Sequence, residues 1–533
     1  MKLISEASAE KLRGGFYTPL PIAEFILKWA LNGDTAFDIL EPSCGDGIFL
    51  ECIRNLDLPC KSITAIEFDE IEALKAKQIG LSNTQVFNTN FHEFCNHTKN
   101  RFDAIVGNPP YIRYQFFSPK QQIEAEDIFI RAGLRYTRLT NAWVSFVVGA
   151  TLLLKEKGRI GFVIPAEILQ VSYAEQLRQF IANHYNIINI ISFEKLVFPN
   201  IQQEVVLLLC EKNGSKDYKI EYIELRDTAS LKTVDINRLK RPKKNIDVKS
   251  KKWTYYFLEQ EEIDFLDYIG KGIIPNLGKF ADVQVGITTG ANDFFTVPLS
   301  TVEEYDLEDY ARPMVGRSVQ VNSIIFTGAD WEQNRQSKAK ANLLVFPTRK
   351  DLNPKNGAVR YIADGESEGI NKGYKCGIRD DWFVVPSIKA SDALFIRRSN
   401  VFPKLIINEA KAYTTDTMHR VYLKKGTNIE AFTGSYYNSL SLAFSEISGR
   451  SYGGGVLELM PSEVEKILLP YREQNADLLP WIDARMRSKE PIKKILQHTN
   501  QLILKEGFGL SDKDISLANT IWEKLCNRRL NRK

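Results

Sequence analysis

The sequence predicts an α/β fold with a mostly parallel central sheet over its first 212 residues, followed by a mixed α+β part. Two observations carry this prediction. Between residues 36 and 212, short runs rich in β-branched and aromatic residues alternate with stretches of helical character, as they do in βαβ units. The runs AIVG (104–107) and IGFVI (160–164) are apolar at consecutive positions, which is typical of strands covered on both faces.

The individual elements follow from the same pattern. Strands are predicted at 36–43, 62–68, 84–90, 102–109, 159–166, 186–193 and 204–210. Helices are predicted between most of them, including 46–56 and 141–157. A further helix is predicted from Thr18 to Leu31, with Thr18 as its cap and Pro19 in its first turn.

Length and composition indicate more than one domain, because 533 residues exceed the roughly 250–300 residues of a single compact domain. We predict an α/β domain over 1–213 with an N-terminal segment at 1–33, a connector over 214–275, a mixed domain over 276–475 and a helical segment over 476–533. Eight Lys or Arg residues fall between 238 and 252, and we interpret them as a solvated linker, with a phosphate-contacting strap as the alternative.

The composition argues against several classes of protein. None of the seven cysteines forms a CxxC pair and the five histidines are scattered, so we expect neither a metal site nor a disulfide framework. The first 15 residues lack the apolar core of a signal peptide and no run of 18 apolar residues occurs, so we expect a cytoplasmic protein without a membrane segment. A net charge of +4 neither requires nor excludes nucleic acid as a partner.

The ends of the first two predicted strands carry a ligand-binding pattern. The first strand leads into SCGDG (43–47), where Gly45 and Gly47 permit a tight turn and close approach of a ligand to the backbone. The spacing is not G-x-G-x-x-G, so a dinucleotide is not favoured. The second strand ends at Glu67, whose carboxylate can accept hydrogen bonds from both hydroxyls of a ribose; a helix cap is the alternative role.

The fourth predicted strand runs directly into Asn108-Pro109-Pro110-Tyr111. An exocyclic amine is a poor nucleophile because its lone pair is delocalised into the ring. The side-chain oxygen of Asn108 and the carbonyl of Pro109 can accept its two N–H bonds and direct the lone pair at a methyl donor, which is catalysis by positioning and electrostatics. Tyr111 offers a flat face on which a base can stack. A rigid turn that only closes the strand is the alternative.

Six motifs in this order resemble the gamma class of amino-methyltransferases from restriction–modification systems, the TaqI-like N6-adenine enzymes. They are GGFYTP (14–19), LEPSCGDGIFL (40–50), IEFD (66–69), NTNF (88–91), NPPY (108–111) and VFP (197–199). The resemblance implies a Rossmann-like sheet with helices on both faces that binds S-adenosylmethionine and releases S-adenosylhomocysteine. It also implies methylation of N6 of a flipped-out adenine in double-stranded DNA, a prokaryotic, nucleoid-associated enzyme, and a separate restriction endonuclease encoded nearby.

The resemblance also implies roles for individual residues. The cofactor-binding set is Tyr17, Thr18, Glu41, Ser43, Cys44, Gly45, Glu67, Phe68, Asn90, Phe91 and Asn108. Tyr111 and Phe198 should sandwich the extruded adenine, although Phe198 could equally be a core aromatic. Asn90 stands where this class usually has Asp; an amide oxygen still accepts a bond from the adenine amine of the cofactor, but without charge, so we expect weaker cofactor binding than an Asp would give.

The C-terminal half resembles target-recognition domains of the same broad group in VQVGITTGANDFFTV (283–297), GYKCGIRDDWFVVPS (373–387) and GRSYGGGVLELMP (449–461). This assigns the 276–475 domain to DNA recognition. The candidate DNA contacts are Arg113, Arg317, Lys411, Arg420 and Arg450, although a solvated surface charge is an alternative for each of them.

Several alternatives stay open from the sequence. The NPPY turn also occurs in methyltransferases that act on RNA guanine or on a protein glutamine. The chain could instead be a DNA-recognition or modification subunit that is active only with partner subunits. Methylation of cytosine N4 is a lesser alternative, since such enzymes more often carry Ser or Asp before Pro-Pro-Tyr.

Overall fold

The computed structural model describes residues 17–33, 36–112, 116–137, 141–198, 204–247, 252–272, 274–353, 357–386, 388–452 and 454–531. The chain forms two compact units, and the division falls between Ile263 and Asp264. The N-terminal unit holds every motif before residue 200, so it is described first.

A nine-stranded sheet forms the centre of the N-terminal unit. Its strands are β1 (Phe37–Glu41), β2 (Cys60–Glu67), β3 (Thr84–Asn88), β4 (Phe102–Gly107), β5 (Leu154–Pro165), β6 (Ile187–Phe193), β7 (Val205–Glu211), β8 (Lys219–Leu225) and β9 (Lys244–Asn245). Their order is β3-β2-β1-β4-β5-β7-β6-β8-β9. Strands β1 to β5 run parallel, whereas β7 is antiparallel to both of its neighbours. The predicted α/β fold with a mostly parallel sheet is confirmed.

Both faces of this sheet are covered. The helices are α1 (Leu20–Ala30), α2 (Ile48–Asn55), α3 (Glu70–Gln78), α4 (Phe91–His97), α5 (Pro119–Arg131), α6 (Ala142–Leu153) and α7 (Glu175–His184), and α8 (Gln260–Gly270) follows at the boundary of the two units. Ile39 of β1 packs in a core cluster with residues of α1 and α2. Leu40 points to the opposite face because successive strand residues alternate, and it is also fully buried.

Three local predictions differ from the structure. Helix α1 begins at Leu20 after Pro19, whose fixed φ of −58° suits the cap position, so Thr18 does not cap it. The predicted helix over 141–157 ends at Leu153, because Leu154 already pairs with Phe102 in the sheet.

The third difference concerns the predicted connector at 214–275. Strand β8 within it pairs with β6 over seven residues, and β9 pairs with β8. Lys244 of β9 is 5% exposed and its ammonium group donates to the carbonyl of Tyr256 at 3.0 Å. This lysine is therefore part of the packed unit, because β8 extends the sheet beyond β6 and offers β9 a strand partner that local charge did not reveal.

The C-terminal unit combines short strands with helices. Its strands are β10 (Ala281–Val285), β11 (Thr296–Val297), β12 (Ala311–Val315), β13 (Ile325–Phe326), β14 (Asn342–Leu344), β15 (Ala393–Ile396), β16 (Arg398–Ser399), β17 (Leu405–Asn408), β18 (Tyr413–Thr414), β19 (Met418–Leu423), β20 (Arg450–Tyr452) and β21 (Val456–Glu458). They form sheets in the orders β10-β19-β15-β17-β13, β11-β14-β12-β18 and β16-β21-β20.

Its helices are α9 (Asn292–Phe295), α10 (Leu299–Glu304), α11 (Gly328–Gln336), α12 (Gly357–Ser367), α13 (Tyr374–Gly377), α14 (Ile429–Tyr436), α15 (Ser439–Ser448), α16 (Pro461–Val464), α17 (Leu479–Arg487), α18 (Ile492–Thr499) and α19 (Asp512–Leu530). A π-helical stretch, Asn500–Glu506, joins α18 to the segment before α19. A cluster of aromatic rings stabilises one part of this unit, where Phe294 stacks on Tyr361 with ring centroids 4.6 Å apart. In neither unit does a helix within the described ranges combine the length and the apolar character needed to cross a bilayer.

Candidate functional site

A cavity of about 800 Å³ lies in the N-terminal unit where the carboxyl ends of β1 to β4 meet. Its walls include residues 41–46 after β1, 67–70 after β2, 89–92 after β3, and Asn108 and Pro110 after β4. Parallel strands bring their carboxyl ends to one edge of the sheet, which is where open α/β sheets bind ligands. The structure therefore collects the four predicted motifs around one space.

The turn after β1 approaches the cavity closely. Gly47 has φ of +98°, and a Cβ at this position would lie 2.3 Å from Cδ1 of Ile79, so a side chain is excluded there. Gly45 also has positive φ, and a Cβ would meet nothing within 4 Å, so the backbone of Gly45 stays accessible at the cavity. Cys44, directly before Gly45, is buried, and burial raises the pKa of its thiol, which keeps the thiol protonated.

The carboxylate of Glu67 is fixed by two backbone amides. Gly45 N donates to Oε2 at 2.8 Å and Asp69 N donates to Oε1 at 2.8 Å. Helix α3 is capped by Asp69 instead, whose Oδ1 accepts from the backbone of Ile71 and Glu72. Glu67 is therefore not the helix cap, and its oriented carboxylate at the tip of β2 can accept bonds from a ribose.

Glu41 presents an unusual electrostatic feature. The residue is 2% exposed, it lines the cavity, and its Oε2 has no hydrogen-bond partner among the described residues. Burial, and the charges of Glu67 and Asp46, raise the pKa of Glu41 well above its ordinary value. A buried carboxylate without a partner is costly, so a cationic ligand group beside it would be stabilised.

The whole cavity is acidic. Six carboxylate residues line it, at positions 41, 46, 67, 69, 70 and 72, and no Lys or Arg does so within the described part of the chain. This charge disfavours a phosphate-bearing dinucleotide and favours a ligand with positive charge. No group of three His, Cys, Asp or Glu side chains in the described ranges is arranged to hold a metal ion.

The entrance carries three residues predicted to bind the cofactor. Tyr17 and Phe68 line the cavity and are 61% and 69% exposed, which leaves their rings available to cover a ligand. Thr18 also lines it but is buried, and it is not engaged in capping α1. Residues 14–16 of the first motif lie outside the described residues.

The end of β3 brings an amide and an imidazole to the cavity. Oδ1 of Asn90 accepts from the backbone of His92 at 3.2 Å, and its Nδ2 donates to Oε2 of Glu124 at 2.7 Å. The ring of Phe91 packs against Phe146, with centroids 4.7 Å apart. All of these residues except Glu124 line the cavity, so its β3 end combines polar acceptors with aromatic walls.

Asn108 is held at the opposite end, after β4. The hydroxyl of Tyr111 donates to Oδ1 of Asn108 at 2.8 Å and lies 3.1 Å from the carbonyl of Val163. Burial raises the pKa of Tyr111 well above its ordinary value, so the hydroxyl keeps its proton. Ser43 donates to the backbone carbonyl of Asn108 at 3.2 Å, which ties the turn after β1 to the turn after β4. Asn108 thus has a fixed side chain at the cavity wall.

The predicted base-stacking pair lies elsewhere. Phe198 is 7% exposed and belongs to the core cluster around α1 and β1, and Tyr111 packs against the same cluster. Neither ring is among the residues that line the cavity, and Pro109 is buried whereas Pro110 lines it. The hydroxyl contact to Asn108 explains the position of Tyr111, so the sandwich around a base stays a prediction.

The predicted DNA-contacting residues have different surroundings. Arg113 lies outside the described residues. Arg317 and Lys411 are exposed. Arg420 donates to the carbonyl of Val285 at 3.0 Å, and the guanidinium of Arg450 donates to Oε1 of the buried Glu463 at 3.1 Å. Arg420 and Arg450 therefore have protein partners, whereas Arg317 and Lys411 present their charge to solvent.

Comparison with known proteins shows to which family this chain belongs. Residues 48–198 match the model of the Eco57I restriction-modification methylases, and residues 250–504 match that of the C-terminal domain of the type II methyltransferase M.Eco57I. The type II methyltransferase M.AccI of Acinetobacter calcoaceticus is 26% identical over 471 residues, which are 85% of this chain and 84% of that protein. The chain belongs to the DNA methyltransferases of restriction–modification systems.

A second relative is similar over a shorter stretch. The type II methyltransferase M.HincII of Haemophilus influenzae is 30% identical over 228 residues, 42% of each chain. Among solved structures, a DrdV–DNA complex is similar with a TM-score of 0.48 and 14% identity over 90% of this chain and 58% of that one.

Some residues at the site of this methyltransferase were not predicted from the sequence. His92, Phe117 and Phe146 line the cavity, and Glu124 contacts Asn90 from α5. His92 directly follows the NTNF motif, so its position in sequence was a usable signal. Glu124 and Phe146 arrive from helices more than 30 residues along the chain, and only packing reveals them.

Proposed function

We propose that this methyltransferase moves a methyl group from S-adenosylmethionine to the exocyclic N6 of adenine in double-stranded DNA. The observation that carries the proposal is the pair of fixed acceptors in one cavity. Glu67 lies at the tip of β2, and Asn108, bonded by Tyr111, lies at the tip of β4. A ribose-binding carboxylate and an amine-binding amide thus face the same space.

The acidic lining of the cavity and its open backbone at Gly45 support S-adenosylmethionine as the cofactor. This cofactor carries a sulfonium and an ammonium group, and the buried, unpartnered Oε2 of Glu41 is a matched site for positive charge. The open backbone at Gly45 and the carboxylate of Glu67 provide polar contacts beside it. When bound, the cofactor supplies an electrophilic methyl group, and the residues of this chain have to place a nucleophile in front of it.

Asn108 and Pro109 would place the nucleophile, the amine of the target adenine, in front of the methyl group. Oδ1 of Asn108 and the carbonyl of Pro109 would accept the two N–H bonds of the adenine amine, which localises the nitrogen lone pair. The bond from Tyr111 fixes the direction of the Asn108 amide before the base arrives, so little reorganisation is needed. An adenine inside a duplex cannot reach this cavity, so we propose that the base is flipped out.

Product identification tests this proposal. Purified protein is incubated with methyl-labelled S-adenosylmethionine and a duplex DNA library, the DNA is digested, and the labelled nucleoside is identified. We expect N6-methyladenine, and we expect labelling to be slower by about 100-fold or more with the Asn108→Ala variant. Label in N4-methylcytosine would overturn the adenine assignment. Label only in RNA or protein would overturn the DNA substrate, and label that requires added subunits would favour a partner-dependent role.

We also propose that residues 276–475 read the DNA sequence. This is supported by the match of residues 250–504 to a methyltransferase C-terminal domain and by the exposed charges of Arg317 and Lys411. Substituting either one by Ala should weaken binding to all DNA sequences alike, with a smaller dependence on salt. Arg450→Ala is the contrasting variant, since it removes the guanidinium that donates to the buried carboxylate of Glu463 and should lower stability.

The restriction–modification context implies a nuclease of the same specificity. We propose that a separate restriction endonuclease, encoded beside this gene, provides it. Cloning the neighbouring genes with and without the methyltransferase tests this: the nuclease gene should be tolerated by a host only when the methyltransferase is present. Equal tolerance in both cases would contradict the proposal.

A further inference from the structure

His92 is a buried imidazole with one unused nitrogen. The residue is 2% exposed and its ring lines the cavity. Nε2 lies 2.7 Å from Oγ of Ser145, whereas Nδ1 has no hydrogen-bond partner among the described residues. A buried polar atom without a partner is rare in folded proteins and calls for an explanation.

The contacts of Ser145 determine which nitrogen of His92 carries the proton. The hydroxyl of Ser145 lies 2.8 Å from the carbonyl of Ala142, which can only accept, so the single hydroxyl proton is donated there. Ser145 then accepts from His92, and Nε2 must be protonated. Burial lowers the pKa of His92 to about 3, so the ring is neutral at physiological pH. Nδ1 is consequently a bare acceptor.

His92 lies in the first turn of α4, directly after the end of β3, and this position indicates which ligand group would donate to Nδ1. The strand order is β3-β2-β1-β4, and neighbouring strands are about 4.8 Å apart. Asn108 at β4 would face the methyl acceptor, and Glu67 at β2 would face the ribose. The end of β3, with His92, lies one strand beyond the ribose and three strands from Asn108, where the nucleobase of the cofactor would lie.

The surroundings at this end suit a purine with an amino group. The rings of Phe117 and Phe146 lie 5.7 and 5.2 Å from the ring of His92, centroid to centroid, and both line the cavity. Asn90 supplies a second neutral acceptor, Oδ1, whose direction is set by the bond from Nδ2 to Glu124. An amino group offers two protons, which matches two acceptors.

We propose that Nδ1 of His92 accepts a hydrogen bond from the adenine amino group of the cofactor and, with Asn90, makes the site selective for an amino over an oxo group at that position. This inference rests on the proposed use of S-adenosylmethionine. It assigns to His92 and Ser145 a role in cofactor selection that the sequence motifs do not contain.

A pair of nucleosides that differ in the group at this position, and in the proton that the oxo form carries on N1, tests the inference through the change that each variant makes in their affinity ratio. Calorimetry measures the affinities of S-adenosylhomocysteine and S-inosylhomocysteine, which carry an amino and an oxo group respectively. The wild-type protein should prefer the adenosyl compound. His92→Phe removes the acceptor and keeps an aromatic ring, so the preference should fall about fivefold, the worth of one neutral hydrogen bond. His92→Asn keeps an oxygen near the position of Nδ1 and should retain most of the preference.

Ser145→Ala provides an independent variant that leaves His92 in place. Without the serine oxygen, the ring can carry its proton on Nδ1 and donate it to an oxo group, so the affinity for S-inosylhomocysteine should rise. If His92→Phe folds, as judged by circular dichroism, and weakens both compounds equally, or if Ser145→Ala leaves their ratio unchanged, the ring only packs and the inference is overturned. Failure of the wild-type protein to bind S-adenosylhomocysteine at all would instead overturn the proposed cofactor.

Discussion

The contact between Tyr111 and Asn108 makes it possible to distinguish two roles of this tyrosine by experiment, namely stacking on the target base and positioning of Asn108. If the ring stacks on the target base, Tyr111→Phe keeps that ring and should retain activity. If the hydroxyl positions Asn108, the same change removes this group, whose oxygen lies 2.8 Å from Oδ1 of Asn108 and 3.1 Å from the carbonyl oxygen of Val163. The structure favours positioning, and we expect Tyr111→Phe to lower the rate of methyl transfer.

The magnitude follows from the loss of this shared proton. Leaving buried acceptors unsatisfied costs about 1–3 kcal/mol of folding stability. If about 1.4 kcal/mol of that also oriented Asn108 in the transition state, the rate falls roughly tenfold. Single-turnover methylation with saturating DNA and labelled cofactor measures the rate, and calorimetry should show an unchanged cofactor affinity because Glu41 and Glu67 are untouched.

Tyr185→Phe is the matched control. Its hydroxyl is fully buried in the same unit and lies 2.8 Å from Oγ1 of Thr151, away from the cavity. Thermal unfolding should show a comparable loss of stability in both variants, roughly 3–6 °C in melting temperature. Only Tyr111→Phe should slow methyl transfer. Equal rates in the two variants would refute the positioning role and leave base stacking as the function of Tyr111.

Three further outcomes are expected. Asn108→Ala should lower turnover about 100-fold or more with cofactor affinity retained, because it removes the acceptor of the target amine; near-normal turnover in the methylation assay would contradict this role. Glu41→Gln should raise the melting temperature of the unliganded protein at a pH above the raised pKa of Glu41, where the buried, unpartnered carboxyl is ionised, and should weaken binding of S-adenosylmethionine in calorimetry because the amide carries no charge; tighter binding would count against the cation site. The sequence alone predicts tighter cofactor binding by Asn90→Asp, but the contact with Glu124 reverses that expectation. Asn90→Asp should weaken cofactor binding, because its carboxylate would lie about 2.7 Å from that of Glu124, and should strengthen it only together with Glu124→Gln; tighter binding by the single variant would exclude this repulsion.

The behaviour of Glu41 also sets a pH dependence. Its pKa in the folded protein is raised above the ordinary value of 4.5, so the folded state holds a proton that the unfolded chain releases. The stability that this proton contributes is present below pH 4.5 and is lost as pH rises toward the raised value. Because a cationic ligand favours the ionised form of Glu41, cofactor affinity should rise with pH between 4.5 and the raised pKa. Glu41→Gln should remove this dependence of affinity on pH.

The residues that follow β1 to β4 were predictable from the sequence because their signals are local. A glycine turn, an acidic residue and Asn-Pro-Pro-Tyr each follow an apolar run, and the parallel connection rule brings the ends of such strands to one edge. The charge of residues 238–252 is also a local signal, but it wrongly predicts that Lys244 is solvated. Lys244 is buried in β9. A run of charged residues indicates an exposed segment only where no strand edge is available to pair with the backbone of that run.

The sequence by itself therefore determined the α/β class, the order of the motifs and the motif residues that follow β1 to β4 around the cavity. Only the tertiary structure decided how those residues are held. Tyr111 contacts Val163, Asn90 contacts Glu124, and His92 contacts Ser145 across 52, 34 and 53 positions of sequence. Such pairs depend on how helices pack over a sheet, which neither propensity nor periodicity specifies, and they determine the direction of each acceptor in the cavity.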